Sequence, residues 1–203
     1  MINMKFDKAL IAAKLRRWEK YLDNYQLPDW DAIPDIGLYM EQVISLLKSY
    51  LDYLPPELKE EQFITAATIN NYVRKRVMPE PVKKKYHRIH IVYLIIICSL
   101  KQGLSIPTLQ TMIPVDLSED ELKKFYDSYV RRHRLAVKLF VAQVREGAAG
   151  ILDHTPETEL ATDSTEEIIT AAAVISGFSR LLAEKLLLLD NKTVESMGSI
   201  ELM

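Results

Sequence analysis

The chain has a single cysteine, Cys98, which excludes an intramolecular disulfide framework and a Cys-rich zinc site. Glycine is scarce as well. Six in 203 residues exclude collagen-like and low-complexity chains and argue against an all-β fold built on many tight turns. Long hydrophobic runs are missing too. The two most apolar stretches, Ile89–Leu100 and Ile168–Ser179, fall short of the ~18–20 residues that span a bilayer. The short apolar stretch Ala9–Ala13 precedes Lys14, Arg16 and Arg17, the reverse of signal-peptide order. These absences predict a soluble, cytoplasmic protein with no membrane partner, and the length suffices for a core without disulfide or metal staples. No nucleophile with an adjacent base, phosphate loop or metal-ligand constellation is apparent, and the four histidines are dispersed. The expectation is a protein that is not an enzyme and carries no metal or cofactor.

Net charge is also nearly absent, at −2, but that total is a sum of unlike parts. Residues 1–64 hold 8 basic and 11 acidic side chains, a net −3. Residues 65–101 hold 8 basic side chains and one acidic, Glu80, a net +7. Residues 102–203 hold 10 basic and 16 acidic, a net −6. One strongly basic segment therefore lies between two acidic ones. Such asymmetry bears on partners, and its plain alternative is a solvated charged face.

What is present reads as helices punctuated by proline. The spacing predicts a first helix over Lys5–Tyr25, with Phe6, Leu10, Ala13, Leu15, Trp18, Tyr21 and Leu22 on its apolar face. A connector, Leu27–Pro34, follows. A second helix is expected from Asp35, as its cap, to about Leu54, ended by Pro55-Pro56. A short helix spans Thr68–Arg76, then a turn at Met78-Pro79-Glu80-Pro81 and a basic loop. The run from about Arg88 to Gln102 is rich in β-branched residues, yet its length favours a buried helix. Ser105 fits an N-cap, with Pro107 in the first turn of a short helix through Met112.

Ser118 to Glu121 forms a capping box that opens a long helix to Glu146, closed by Gly147. Leu122, Tyr126, Tyr129, His133, Val137, Phe140 and Val144 recur on it at about 3.6 residues. Residues 147–163 read as a loop. Asp163 or Ser164 caps a last helix to about Leu189, apolar nearly all round and suited to a core or a subunit interface. The predicted organisation is an N-terminal helix and connector (1–34), a central region (35–115), a helical region for dimerisation or sensing (116–190) and a tail (191–203).

The basic segment Thr65–Ile113 holds the residue types that DNA binding uses. The predicted short helix carries Thr68, Asn70, Asn71, Tyr72, Arg74, Lys75 and Arg76; the loop carries Lys83, Lys84, Lys85, Tyr86, His87 and Arg88. Asparagine pairs with adenine and arginine with guanine in the major groove, which admits a helix. Lysines beside it neutralise phosphates without reading sequence. Asn70-Asn71 also suits a turn or cap, and His87 and His90 suit wing and surface roles better than a metal site. Arg131-Arg132-His133-Arg134 is a second basic run, either a solvated face or further phosphate contacts. Cys98 suits the core. Tyr21, Tyr25, Trp18 and Trp30 suit a core better than a ligand pocket.

The stretch Thr68-Ile69-Asn70-Asn71-Tyr72-Val73-Arg74-Lys75-Arg76-Val77-Met78-Pro79 resembles the recognition helix and exit of MerR-type regulators. Lys85-Tyr86-His87 is similar to that family's wing, and Gly103-Leu104-Ser105-Ile106 to the turn opening its last wing-domain helix. The chain as a whole resembles the bacterial family called domain of unknown function 1836. That likeness rests on Leu27-Pro28-Asp29-Trp30, Asp35-Ile36-Gly37-Leu38-Tyr39-Met40-Glu41-Gln42-Val43, Ile69-Asn70-Asn71-Tyr72-Val73 and Lys84-Lys85-Tyr86. The resemblance implies a mostly α fold with a central MerR-like winged helix-turn-helix. It puts Thr68 to Arg76 on the recognition helix and Lys83 to Arg88 on the wing, with residues 55–62 inserted ahead of them. The function expected is that of a transcriptional regulator that binds double-stranded DNA as a homodimer through its C-terminal helices. The alternatives are a protein–protein adaptor and a small-ligand sensor on the same fold.

Overall fold

A computed structural model describes residues 7–51, 64–152, 173–179, 181–182, 189 and 192–193. The expected Pro55-Pro56 stop, the insertion 55–62, the cap at Asp163 or Ser164 and nearly all of the tail lie outside these residues. The described part is mostly helical: α1 (Lys8–Asn24), α2 (Met40–Tyr50), α3 (Ala66–Arg74), α4 (Arg88–Leu100), α5 (Ile106–Met112), α6 (Glu119–Gly147) and α7 (Ala149–Leu152). A single 3-10 turn, Trp30–Ala32, sits in the connector, and isolated bridges take the place of strands among the described residues. No described helix is long and apolar enough to cross a membrane.

The chain divides into two compact units, residues 1–25 with 135–203 and residues 26–134. In the first, Asp7 caps α1 by accepting from the N–H groups of Ala9 and Leu10 at 2.9 and 3.0 Å. Leu10, Ile11, Leu15 and Leu152 are buried together, and Trp18 meets Phe140 edge-on at 5.3 Å. Arg16 donates to the Leu152 carbonyl at 3.0 Å, and Arg145 binds Glu19. Two expectations change here. Tyr21, expected on the apolar face, is 42% exposed and stacks on Tyr25. The chain after Gly147, read as a loop, makes the short helix α7, because Ala148 opens a new turn that packs on α1. In the expected last helix, residues 173–179 are helical.

The second unit is built around α4. From Ile91 to Leu100 every residue is buried, and six of its aliphatic side chains have no exposed surface at all. The β-branched run forms a helix because a helix satisfies its own backbone, whereas a strand buried on all sides needs paired edges. Burying each aliphatic side chain contributes about 1.5–3 kcal/mol, well above the few tenths lost in helix propensity. Around α4, Tyr93 donates to the Pro114 carbonyl at 2.8 Å, and Tyr126 of α6 donates to the Pro28 carbonyl at 2.7 Å. Burial raises the pKa of both phenols. Cys98 is buried, with its thiol pushed up to about 12 by desolvation. Ser105 and Ser118 cap α5 and α6 as expected.

One start differs. The second helix begins at Met40, because the residues before it are held extended. The Leu38 N–H donates to the Tyr86 carbonyl at 2.9 Å, and the Tyr86 N–H returns the bond at 2.8 Å. Asp35 is not the α2 cap. Its carboxylate instead faces the start of α4, where it accepts weakly from the Arg88 N–H at 3.4 Å.

Candidate nucleic-acid interface

Helix α3 is set by its two ends. Thr65 is the N-cap, its hydroxyl accepting from the Thr68 N–H at 3.1 Å, while the Thr68 hydroxyl accepts from the Thr65 N–H at 2.8 Å. Thr68 is therefore half-buried and committed to the cap. Ile69 and Tyr72 point inward and are buried. Asn70 and Arg74, one turn apart, are exposed on the opposite face beside Lys75, and half-buried Asn71 accepts from the Arg74 guanidinium at 2.8 Å. The C-terminal end closes as a Schellman motif. The Val77 N–H reaches the Tyr72 carbonyl at 3.1 Å, and the Arg76 N–H reaches Val73 at 2.9 Å. The motif needs a left-handed residue, normally glycine, and Arg76 fills it at φ 53°.

After buried Val77 and Met78, the basic loop forms a two-residue hairpin. Val82 and Lys85 exchange both backbone bonds, at 3.1 and 2.9 Å. The turn residues are Lys83 at φ 49° and Lys84 at φ 63°. Two left-handed residues in a two-residue loop make a type I′ turn, whose preferred sequence is Asn-Gly. Among the described residues, Arg76, Lys83 and Lys84 are the non-glycine residues at positive φ, and all three carry a cation at the surface.

The structure exposes Asn70 and Arg74 on α3, Lys75 and Arg76 just past its C-terminal end, and Lys83, Lys84 and Lys85 on the hairpin. It keeps other candidate side chains inside. Tyr72 and Tyr86 are 4% and 3% exposed, and burial raises both phenol pKa values. Their rings support the surface from beneath. Arg88 is half-buried; its guanidinium donates to the Ile33 carbonyl at 2.8 Å and lies over Trp30. His87 is half-buried at the start of α4. His90, expected at the surface, is buried. Its Nδ1 accepts from the His87 N–H at 3.0 Å, and its Nε2 donates to the Glu80 carbonyl at 2.9 Å, joining the turn before the hairpin to α4. Desolvation lowers its pKa, and Nδ1 can accept the His87 bond only in the neutral ring.

Several participants had no local signal. Val82 is exposed at the hairpin, and Tyr39, 58% exposed, lies under the Lys85 ammonium at 5.4 Å from the ring centroid. Gly37 lies against the Lys85 stem. The pairing of Leu38 with Tyr86 brings these distant stretches together. Along α2, Pro34, Ile36, Leu38, Gln42, Ser45 and Leu46 help to line an open groove of about 580 Å³.

No curated protein and no solved structure matches the chain. A family model does, over residues 28–129, which contain the connector, α2 to α5, the hairpin and the first part of α6. That match takes in half of the chain, and the protein belongs to the family Domain of unknown function (DUF1836).

Proposed function

We propose that this protein is a DNA-binding transcriptional regulator with a MerR-like winged helix-turn-helix. Helix α3 enters the major groove with Asn70, Asn71 and Arg74 toward base edges, and Lys75 and Arg76 toward the backbone. The hairpin at Lys83–Lys84 is the wing and neutralises phosphates, with Lys85 beside it. The protein acts in the cytoplasm as a homodimer through its C-terminal helices, so that two copies of α3 address a symmetric site. No catalytic step belongs to this reading.

The observation that carries it is the chemistry of the left-handed positions. Glycine or asparagine serves these turns without strain, whereas an L side chain there costs about 1 kcal/mol or more. At Arg76, Lys83 and Lys84 the chain accepts that cost, and each time the side chain is a cation. Strained backbone with a shared chemistry marks a functional surface. The +7 balance of residues 65–101 between acidic flanks supports the same reading.

The test is binding of the full chain to duplex DNA across a salt series, followed by fluorescence anisotropy. The logarithm of affinity falls linearly with the logarithm of salt, and Lys84→Ala reduces that slope by about 1 on every sequence. Asn71→Ala or Arg74→Ala lowers discrimination between sequences. Binding indifferent to all three substitutions refutes the site. Absence of salt-dependent binding at micromolar protein favours the adaptor reading, to which the groove along α2 lends its apolar walls.

A further inference from the structure

We infer that Gly37 and Tyr39 form a slot that holds Lys85 in place for the DNA backbone, making them positioning residues for the interface. The inference rests on the DNA-binding reading above. Leu38 and Tyr86 pair backbone to backbone, and both side chains are buried. In paired extended chains successive side chains alternate between faces. The flanking residues therefore share the outer face, with Gly37 across from His87 and Tyr39 across from Lys85. The Lys85 stem runs over Gly37. A Cβ at residue 37 would stand 2.8 Å from Lys85 Cδ, 3.1 Å from Lys85 Cβ and 3.4 Å from His87 Cε1. Further along, the Lys85 ammonium lies 5.4 Å from the Tyr39 ring centroid, within cation–π range.

Lys83 and Lys84 stand at the tip of the turn, whereas Lys85 lies along a floor with an aromatic stop at its end. A lysine loses much rotamer freedom when it binds a phosphate, and a stem already confined loses less. The ammonium still faces solvent, since both Lys85 and Tyr39 are exposed. A methyl group at residue 37 has one easy outlet. The flexible lysine stem carries Cδ away and the ammonium leaves the ring, while the 3.1 Å contact with Lys85 Cβ is relieved by a backbone shift of a few tenths of an ångström.

The experiment is a double-mutant cycle on the full chain, read by anisotropy with a fluorescent duplex of about 25 base pairs and arbitrary sequence. Gly37→Ala is expected to weaken binding about threefold and to reduce the salt slope toward that of Lys85→Ala. In the Lys85→Ala background, where only the Cβ contact remains, Gly37→Ala is expected to cost much less than in the unaltered chain. Tyr39→Phe keeps the ring and the affinity, while Tyr39→Ala, at an exposed position, repeats the loss without burdening the core. Equal loss from Gly37→Ala in both backgrounds, or none in either, overturns the slot. If the unaltered chain shows no salt-dependent binding, the DNA reading and the slot fall together. If it binds, and Lys84→Ala weakens it while the cycle is additive, only the slot falls.

Discussion

The hairpin turn predicts an exchange of stability for binding. Replacing Lys83 by Asn and Lys84 by Gly together installs the residues that a type I′ turn prefers. Lys83 and Lys84 sit at φ 49° and 63°, each costing about 1 kcal/mol relative to a residue at ease there. A glycine at 84 gains unfolded-state freedom worth about 0.5–1 kcal/mol, which offsets part of the relief. The net expectation is a fold more stable by about 1 kcal/mol, seen as a rise in melting temperature of about 2–4 °C for a chain of this size. Binding moves the other way. On the proposed interface each lost phosphate contact forfeits counterion release worth about fivefold in affinity near 0.15 M salt, so the pair is expected to lose about twenty-five-fold and the salt slope to fall by about 2. Thermal denaturation followed by circular dichroism and anisotropy on duplex DNA read the two effects on one preparation. A variant that melts at the same temperature or lower refutes the strain argument. One that melts higher but binds DNA as before removes the wing from the interface.

Three further outcomes are expected. His133 is 2% exposed on α6, and burial lowers its pKa from 6.5 to about 4. The unfolded chain takes up a proton below pH 6.5 that the folded chain refuses. Stability therefore falls as pH drops from 6.5 toward 4, by up to about 3 kcal/mol, and urea midpoints across that range for His133→Leu should lose this part of the slope. Tyr126→Phe removes the bond to the Pro28 carbonyl at 2.7 Å and should cost about 1–2 kcal/mol in urea denaturation, with unchanged slope against denaturant. Thr65→Ala removes the α3 cap and should cost about 1 kcal/mol, with faster amide exchange in the first turn of α3 as the specific readout.

Much of the fold was legible because its signals are local. Ser105 and Ser118 cap the helices that follow them, and Leu122, Tyr126, Tyr129, His133, Val137 and Phe140 are all buried along α6. The start of α2 was not, because Asp35 is a good cap that the pairing of Leu38 with Tyr86 removes from helical reach. His90 carried no local mark of burial; beside its local bond from the His87 N–H, its second bond depends on the turn at Glu80. Nor could the residue types separate the tyrosines from the cations beside them. Tyr72 falls inward with Ile69, three residues earlier, while Arg74 falls outward.

The sequence by itself determined a mostly helical protein whose net positive charge is confined to residues 65–101. Helical periodicity, capping and charge are properties of neighbouring residues, and no distant contact is needed to express them. Tertiary structure alone decided which of those residues form a surface. It turned Tyr72, Tyr86 and His90 inward, tied Arg88 to the connector and drew Gly37 and Tyr39 to Lys85. It also closed the hairpin that holds Lys83 and Lys84 in a left-handed conformation. The physical reason is that burial and backbone pairing join stretches far apart in the chain. Their free energy outweighs the roughly 1 kcal/mol that each strained lysine costs.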